Sequence, residues 1–525
     1  MNGIPHPHLL TVAQMQTLEQ RLFEWGMPVA ALMEKVSLGA FAQITACYPQ
    51  ARFPRIGILL GSGHNGGDGL VVGRELRLEG RTIKVWQGSS PLKPLTASHA
   101  AYLQALGGSW VQQVENLADC DLLIDALFGI GLSRPLGDPW AGAVAWANQS
   151  ELPIVSLDIP SGLSADTGSP LGPCIRADLT LCLGLWKRGL WQDSALEWIG
   201  ELVGIDFGTP AALLQDWDRD LTLPRLITPP LAHSWLPSHP PLQTHKYRQG
   251  HLLLICGSAQ YAGAAVLTVL GSRGSGAGMV TVAVPQALKP LIHYWAPEVL
   301  VWPCEQTATG GIAHLGSLDL CRYSAIALGP GLGDSAAHLV KVMRHQLVEQ
   351  TDSGYRIPWL LDADGLNGLA EWGVENLGDL AAQTIVTPHE GEFRRLFGQI
   401  DLHDRLSAAH TAITQVGLTL LLKGSRTIIA SPQGSWVNPQ STPALARGGS
   451  GDVLTGLLAG LLAQGRNISE AAAVAAWWHS QAALSLQAAQ GHTGVDPVAL
   501  AATLPSVLAR VQKGIKTDGI PSAES

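Results

Sequence analysis

Cysteine is scarce and badly placed for cross-linking: seven residues (Cys47, Cys120, Cys174, Cys182, Cys256, Cys304, Cys321), odd in number and never spaced as CxxC. That excludes a disulfide framework and a structural zinc site, and a reducing, cytoplasmic setting is expected. Charge is sparse too, at 14% of residues, with 33 Lys and Arg against 42 Asp and Glu. A sequence-independent nucleic-acid binder needs a basic face, so no nucleic-acid partner is expected. No apolar run reaches the roughly 20 residues of a membrane span. The stretch 453–463 is too short, and 471–489 contains His479, Gln481 and Gln487, which suits a buried Ala-rich helix. Gly456 and Gly460 suit close helix packing. The start, MNGIPHPHLLTVAQ, has no basic stretch leading into an apolar core, so no secretion signal is expected.

What the chain does have is 525 residues at 46% hydrophobic, too many for one compact core and enough for two or three domains. After a capping box at Thr11 and Gln14, short apolar runs at 56–60, 83–86, 122–127, 154–157, 179–183 and 202–205 alternate with helical or loop stretches. Such alternation predicts a Rossmann-like parallel sheet wound by helices over 1–215. Prolines at 224, 229, 230, 237, 240 and 241 mark 216–240 as a linker with little regular structure. The alternation restarts at 252–256, 280–284, 325–328, 359–361, 385–386, 418–422 and 427–430, predicting a second α/β domain over 241–512 and a mobile tail over 513–525.

In the first domain the run 56–60 leads into GSGHNGGDG at 61–69 and a helix-like stretch at 70–78. Strand, glycine loop and helix start together make an anion site, because glycine lets the backbone approach phosphate and unpaired amides point at it. Asp68 inside the loop would repel phosphate, and suits sugar hydroxyls or a cation. Asp125 and Asp158 close two further strands, where parallel sheets bind ligands.

LMEKV at 32–36, GSGHNGGDG, DALFGIG at 125–131 and SLDIPSG at 156–162, in that order, resemble the NAD(P)H-hydrate epimerase domain over about 10–210. The resemblance implies that His64, Asn65, Gly66, Gly67 and Asp68, with Gly129, Ile130, Gly131, Leu132, Ser133, Arg134 and Pro135, contact the dinucleotide. It also implies a potassium ion among Asn65, Asp125 and Ser161, with Asp158 catalytic at the hydrated ring. That oxygen-rich set suits a hard cation. Two departures from the family pattern stand out: His64 replaces an Asn, and Lys35, Val36 and Ser37 follow Glu34 where Asn-Ala-Gly is usual. Epimerising C6 of the hydrated ring needs one proton shuttle, a role assigned to Asp158.

The second domain carries RGGSGD at 447–452 before a helix-like stretch at 453–462. Gly448, Gly449, Ser450 and Gly451 expose backbone amides towards one point, an anion hole for a migrating phosphoryl group. Asp452 beside it can take a proton from a substrate hydroxyl. Lys423, Gly424, Ser425, Arg426 and Thr427 follow an apolar strand and could hold nucleotide phosphates.

HKYRQGHLLLICGSAQYAGAA, ALGPGLG, LLDADGLN, VTPHEGEF, LLKGSRT and ARGGSGDVLTGLLAG resemble the ADP-dependent NAD(P)H-hydrate dehydratase domain, of ribokinase-like fold, over about 240–510. The resemblance implies that Ala264, Gly331, His389 and Asp452 contact the hydrated substrate, while Lys423 to Thr427 and Gly451 contact the nucleotide. A lone His389 is more often a structural hydrogen-bonder. Asp452 would be the catalytic base, ADP the co-substrate, and Mg²⁺ is expected to offset phosphate charge. The implied partners are NADHX, NADPHX and ADP, with no membrane and a homo-oligomer expected. Two rival readings stand beside this: a ribokinase-like vitamin-precursor kinase, which leaves the first domain unexplained, and a first domain serving as a non-catalytic scaffold.

Overall fold

The computed structural model describes residues 6–88, 91–352, 354 and 356–514. The tail expected from 513 lies, from 515 on, outside the described residues. The chain divides into two compact units after Pro224.

The first unit is a seven-stranded, all-parallel sheet in the spatial order Ser109–Val111, Thr82–Gln87, Arg55–Leu60, Leu122–Ala126, Ile154–Leu157, Leu179–Leu183, Glu201–Ile205. Chain order reverses between Arg55–Leu60 and Leu122–Ala126, so loops leaving these neighbours diverge and open a crevice at their carboxyl ends. Thr11 caps the helix Val12–Glu24 with the reciprocal Gln14 bond expected from sequence, and Met15, Leu18 and Leu22 bury one face. Outside the main sheet, Leu9–Leu10 pairs in parallel with Trp186–Lys187.

The second unit is an eleven-stranded sheet. Its parallel centre runs Thr419–Leu422, Thr384–Val386, Trp359–Leu361, Ala325–Leu328, His251–Ile255, Met279–Pro285, Leu300–Gln306, reversing at His251–Ile255. Antiparallel strands Ile428–Ser431 and Gly434–Val437 extend one side and Ile312–His314 the other. Leu300–Gln306 carries Pro303 and alternates little, which is why sequence patterning misses it. The helix Ile468–Gln490 is buried along most of its length. Among the described residues no helix is long and apolar enough to cross a membrane.

Three expectations change. The stretch 216–240 holds the helix Pro229–Trp235 and the strand Arg225–Leu226, which pairs with Gly434–Val437. Thr228 caps that helix through Leu231 N, and the prolines sit in its first turn, where a missing N–H costs nothing. The glycine stretch after Arg55–Leu60 is helix from His64 onward. The stretch before 453 is helix from Ser450.

Glycines set the closest packing of the second unit. A Cβ on Gly271 would stand 2.2 Å from Val453 O, and one on Gly456 would stand 2.0 Å from Thr268 O. The helices Ala262–Ser275 and Ser450–Ala463 thus touch backbone to backbone. Gly456→Val should destabilise this unit by about 1–3 kcal/mol or more, since backbone cannot yield as a side chain can. Urea unfolding checks this, with Gly263→Ala, which meets nothing within 4 Å, as a neutral control.

Candidate active sites

In the first unit the crevice at the strand reversal is a cleft of about 420 Å³. His64, Asn65, Asp68, Gly129, Ile130, Gly131, Leu132 and Asp158 line it, joined by Glu19, Val36 and Lys93. Of the other residues expected here, Ser133, Arg134 and Pro135 are exposed beyond the lining. Gly66 and Gly67 serve packing: a Cβ on Gly66 would lie 2.0 Å from Gly61 O, and one on Gly67 2.6 Å from the Met33 methyl. Only Gly63 faces open space at this turn. Burial, with Lys93 nearby, holds the His64 imidazole below its ordinary range.

Asp125 lies wholly buried under the cleft. Ser161 Oγ donates to its Oδ1 at 2.6 Å, and Ser156 Oγ and Ser161 N donate to Oδ2 at 2.8 Å. Burial raises its carboxyl, partly offset by these bonds. Both amide atoms of Asn65 are buried without a partner among the described residues. An orphaned amide oxygen, a buried carboxylate and a hydroxyl are the donor types that suit a hard monovalent cation, so the chemistry of Asn65, Asp125 and Ser161 fits potassium.

Asp158 follows the strand Ile154–Leu157 with φ of +69°, a left-handed strain held by its partners. Its Oδ2 accepts from Ile130 N at 3.1 Å, and its Oδ1 lies 2.5 Å from Lys187 Nζ. Lys187 is 1% exposed and also donates to Leu183 O. A buried ammonium cannot stay unpaired, so Asp158 and Lys187 act as a unit. Burial and the Asp158 charge push Asp68 well up, while Ser37 Oγ donates to its Oδ1 at 3.3 Å. The unusual 34–37 segment is thereby placed: Glu34 pairs with Arg74 at 2.7 Å, Val36 lines the cleft and Ser37 touches Asp68. Sequence reasoning missed Lys187 and Glu19; a lysine inside the apolar run at 179–191 was the available signal.

In the second unit Gly449 caps the helix Ser450–Ala463 in a left-handed conformation, φ +94°. Ser450 N donates to Arg447 O at 3.3 Å, so of the four amides expected at the anion hole that of Ser450 is already engaged. His479, wholly buried, contacts Ser450 O through Nε2 at 3.0 Å, and burial lowers its imidazole to about 4. It therefore stays neutral and donates. Asp452 stands in the first turn, its carboxyl raised to about 7 by burial and by Asp362, with Lys423 opposing. Lys423 Nζ pairs with Asp362 Oδ1 at 2.8 Å, and Thr455 Oγ1 donates to Asp362 Oδ2 at 2.5 Å. A Cβ on Gly451 would be 3.8 Å from Lys423 Nζ, so Lys423 borders the anion hole.

Arg405, another residue sequence reasoning missed, donates to Lys423 O at 2.8 Å and Arg426 O at 3.3 Å, shaping the loop of Gly424, Ser425 and Thr427. Ala264 and Gly331 adjoin, since a Cβ on Gly331 would be 2.9 Å from that of Ala264. His389 caps the helix Glu390–Leu396, its Nδ1 accepting from Gly391 N and Glu392 N at 3.0 and 3.2 Å. A cavity of about 390 Å³ lined by Ser258, Tyr261, Gly333, Asp364 and Asn367 adjoins Gly331 through Tyr261.

Two α/β units, one with a carboxylate cleft and one with an anion hole beside a base, define a two-site enzyme. A family described as NAD(P)H-hydrate dehydratase matches residues 252–506, and one described as YjeF-related protein N-terminus matches 29–189. The bifunctional NAD(P)H-hydrate repair enzyme Nnr of Synechocystis sp. is 49% identical over 497 residues, covering 94% of this chain and 93% of that protein. The enzyme of the same name from Gloeobacter violaceus is 46% identical over 513 residues, covering 97% and 99%. A crystal structure of ADP/ATP-dependent NAD(P)H-hydrate dehydratase from Bacillus subtilis is 28% identical, covering 55% of this chain and 98% of that one, at a TM-score of 0.45. The chain belongs to the bifunctional NAD(P)H-hydrate repair enzyme family.

Removing Lys187 Nζ would strand Asp158 in a buried position. Lys187→Met should cost the first unit about 3–5 kcal/mol, read as a lowered unfolding midpoint.

Proposed function

We propose that this chain repairs hydrated NAD(P)H in two steps, one in each unit. The first unit interconverts the R and S forms of NAD(P)HX. The second dehydrates the S form at the expense of ADP, releasing AMP and phosphate. The observation that carries this reading is Asp452 at the head of a helix whose preceding glycines open an anion hole, in a chain similar over nearly its whole length to enzymes named for both activities.

The dehydration follows from this geometry. Asp452 takes the proton from the C6 hydroxyl while the β-phosphoryl of ADP passes to that oxygen. The amides of Gly448, Gly449 and Gly451 stabilise the charge that develops in transit, the Ser450 amide being held by Arg447 O. The ring nitrogen lone pair then expels phosphate, and loss of a C5 proton restores the dihydropyridine. Phosphate leaves far more readily than hydroxide, which gives the nucleotide its purpose. Lys423, Gly424, Ser425, Arg426 and Thr427 hold the nucleotide, and Ala264, Gly331 and His389 the hydrated substrate. The cavity beside Tyr261 receives a further part of the dinucleotide. Mg²⁺ bound with the nucleotide would offset its phosphate charge.

In the first unit the dinucleotide lies along His64–Asp68 and Gly129–Pro135, with its hydrated ring at Asp158. Potassium, held by Asn65, Asp125 and Ser161, would supply a fixed positive charge beneath it. A cytoplasmic homo-oligomer acting on both NADHX and NADPHX completes the reading.

Purified protein given separated R and S hydrated NADH with ADP should regenerate reduced nicotinamide absorbance from both. Asp452→Asn should lower dehydration by at least about 10², and Asp158→Asn should slow recovery of the R form alone. A stable phosphorylated product in place of free phosphate would overturn the assignment. The base must be ionised to act. With the Asp452 carboxyl at about 7, kcat/KM for dehydration should therefore rise with pH through that value and level off above it.

A further inference from the structure

Three carboxyl groups and the Lys93 ammonium line the first cleft, with the Lys187 ammonium paired to Asp158, and epimerisation as described draws on Asp158 alone. Asp158 is poorly placed to exchange a proton. Its Oδ1 is paired with Lys187 at 2.5 Å and its Oδ2 accepts from Ile130 N. Protonating it would leave a 1%-exposed ammonium with little beyond the Leu183 carbonyl. Glu19 is situated otherwise. It projects from the helix Val12–Glu24 into the same cleft, and among the described residues no hydrogen bond or ion pair engages its carboxyl. Its position gives it access to the ligand without tying it to the protein.

We propose that Glu19 carries the proton in epimerisation, while Asp158, fixed by Lys187 and Ile130, remains a permanent carboxylate beside the ring. This rests on the cleft being the epimerase site. Burial raises the Glu19 carboxyl, with Asp158 adding to the rise and Lys187 opposing it. Glu19 passes its proton to the C6 hydroxyl as the C6–O bond breaks. The N1 lone pair forms the C6–N1 double bond, giving water, a planar iminium and the Glu19 carboxylate. The negative Asp158 stands by the cationic ring. Water re-adds to C6 on the opposite face, and the proton it sheds returns to Glu19 through an intervening water. Atoms and charge close on the epimer with Glu19 reprotonated.

The groups that face Glu19 are Asp158 after the strand Ile154–Leu157, Lys187 in the strand Trp186–Lys187, and Asp68 in the helix His64–Leu78; His64 and Lys93 also line the cleft. Asp68 is the competing proton carrier, although it is buried and bonded from Ser37.

The test uses the full chain and purified R-form hydrated NADH, with conversion of the S form as an internal check on the second unit. Glu19→Gln should lower kcat for epimerisation by about 10² or more with KM little moved, and Glu19→Asp should restore part of it. Wild-type kcat should fall as pH rises through the Glu19 pKa, because the protonated form is the active one, and Glu19→Gln should lose that limb. Near-wild-type epimerisation by Glu19→Gln, or its loss in Asp68→Asn while Glu19→Gln stays active, overturns the proposal. If Glu19→Gln fails to fold, as judged by circular dichroism, the wild-type profile decides: a flat alkaline limb overturns it. Wild-type protein that leaves the R form untouched would instead refute the epimerase reading itself, so the two failures are distinct.

Discussion

A carboxylate at the carboxyl end of a buried parallel strand must find a cation or a set of donors, and in both units that cation is a lysine. Asp158 meets Lys187 and Asp362 meets Lys423, each pair with one member at most 2% exposed. Desolvating both charges costs several kcal/mol per ion, so each pair persists only because further groups complete it. Ile130 N and Leu183 O do so in the first unit, Thr455 and Glu392 in the second. The chemistry of both sites is arranged around these fixed ions. In the second unit Asp362 stays ionised and helps raise its neighbour Asp452. One acid is thus locked and the other left near neutrality.

Strain gathers at the same points. Among the described residues only Glu151, Asp158 and Ala363 adopt a positive φ without being glycine. Two of these three are a site carboxylate and the residue between Asp362 and Asp364. A local conformational cost of order 1–3 kcal/mol persists only where neighbours over-determine it. The double anchoring of Asp158, and the Gly333 N bond to Asp364 Oδ2 at 2.9 Å, are that over-determination.

Much of this arrangement was legible in the chain. Period and run length located the central strands, the strand ends singled out Asp125 and Asp158, and the glycine run before a helix singled out Asp452. The glycines were visible, but their purpose was not. Gly66, Gly67 and Gly69 admit Gly61 O, Met33 and Ala126 into close contact, and turn glycine and packing glycine look alike in a string of letters. Lys187 was hidden because its partner lies on another strand and its own strand is two residues long, formed only against Leu9–Leu10. Arg405 escaped notice because it acts on backbone carbonyls, which carry no side-chain signature. Pairing of Arg225–Leu226 with Gly434–Val437 depends on contacts between distant segments, which hid the ordered part of the proline-rich stretch.

The backbone contact between the helices Ala262–Ser275 and Ser450–Ala463 bears on how the second site keeps its shape. Val453 O faces Gly271 immediately after Asp452, and Ala264 stands in the first turn of the partner helix. The first turns that carry Ala264 and Asp452 are therefore held in one register by main chain, which no rotamer change can relax. Surrounding side chains are free to drift and repack while the spacing between Ala264 and Asp452 stays constant. Alignment in this site is inherited from the fold at the outset, before any ligand arrives to impose it.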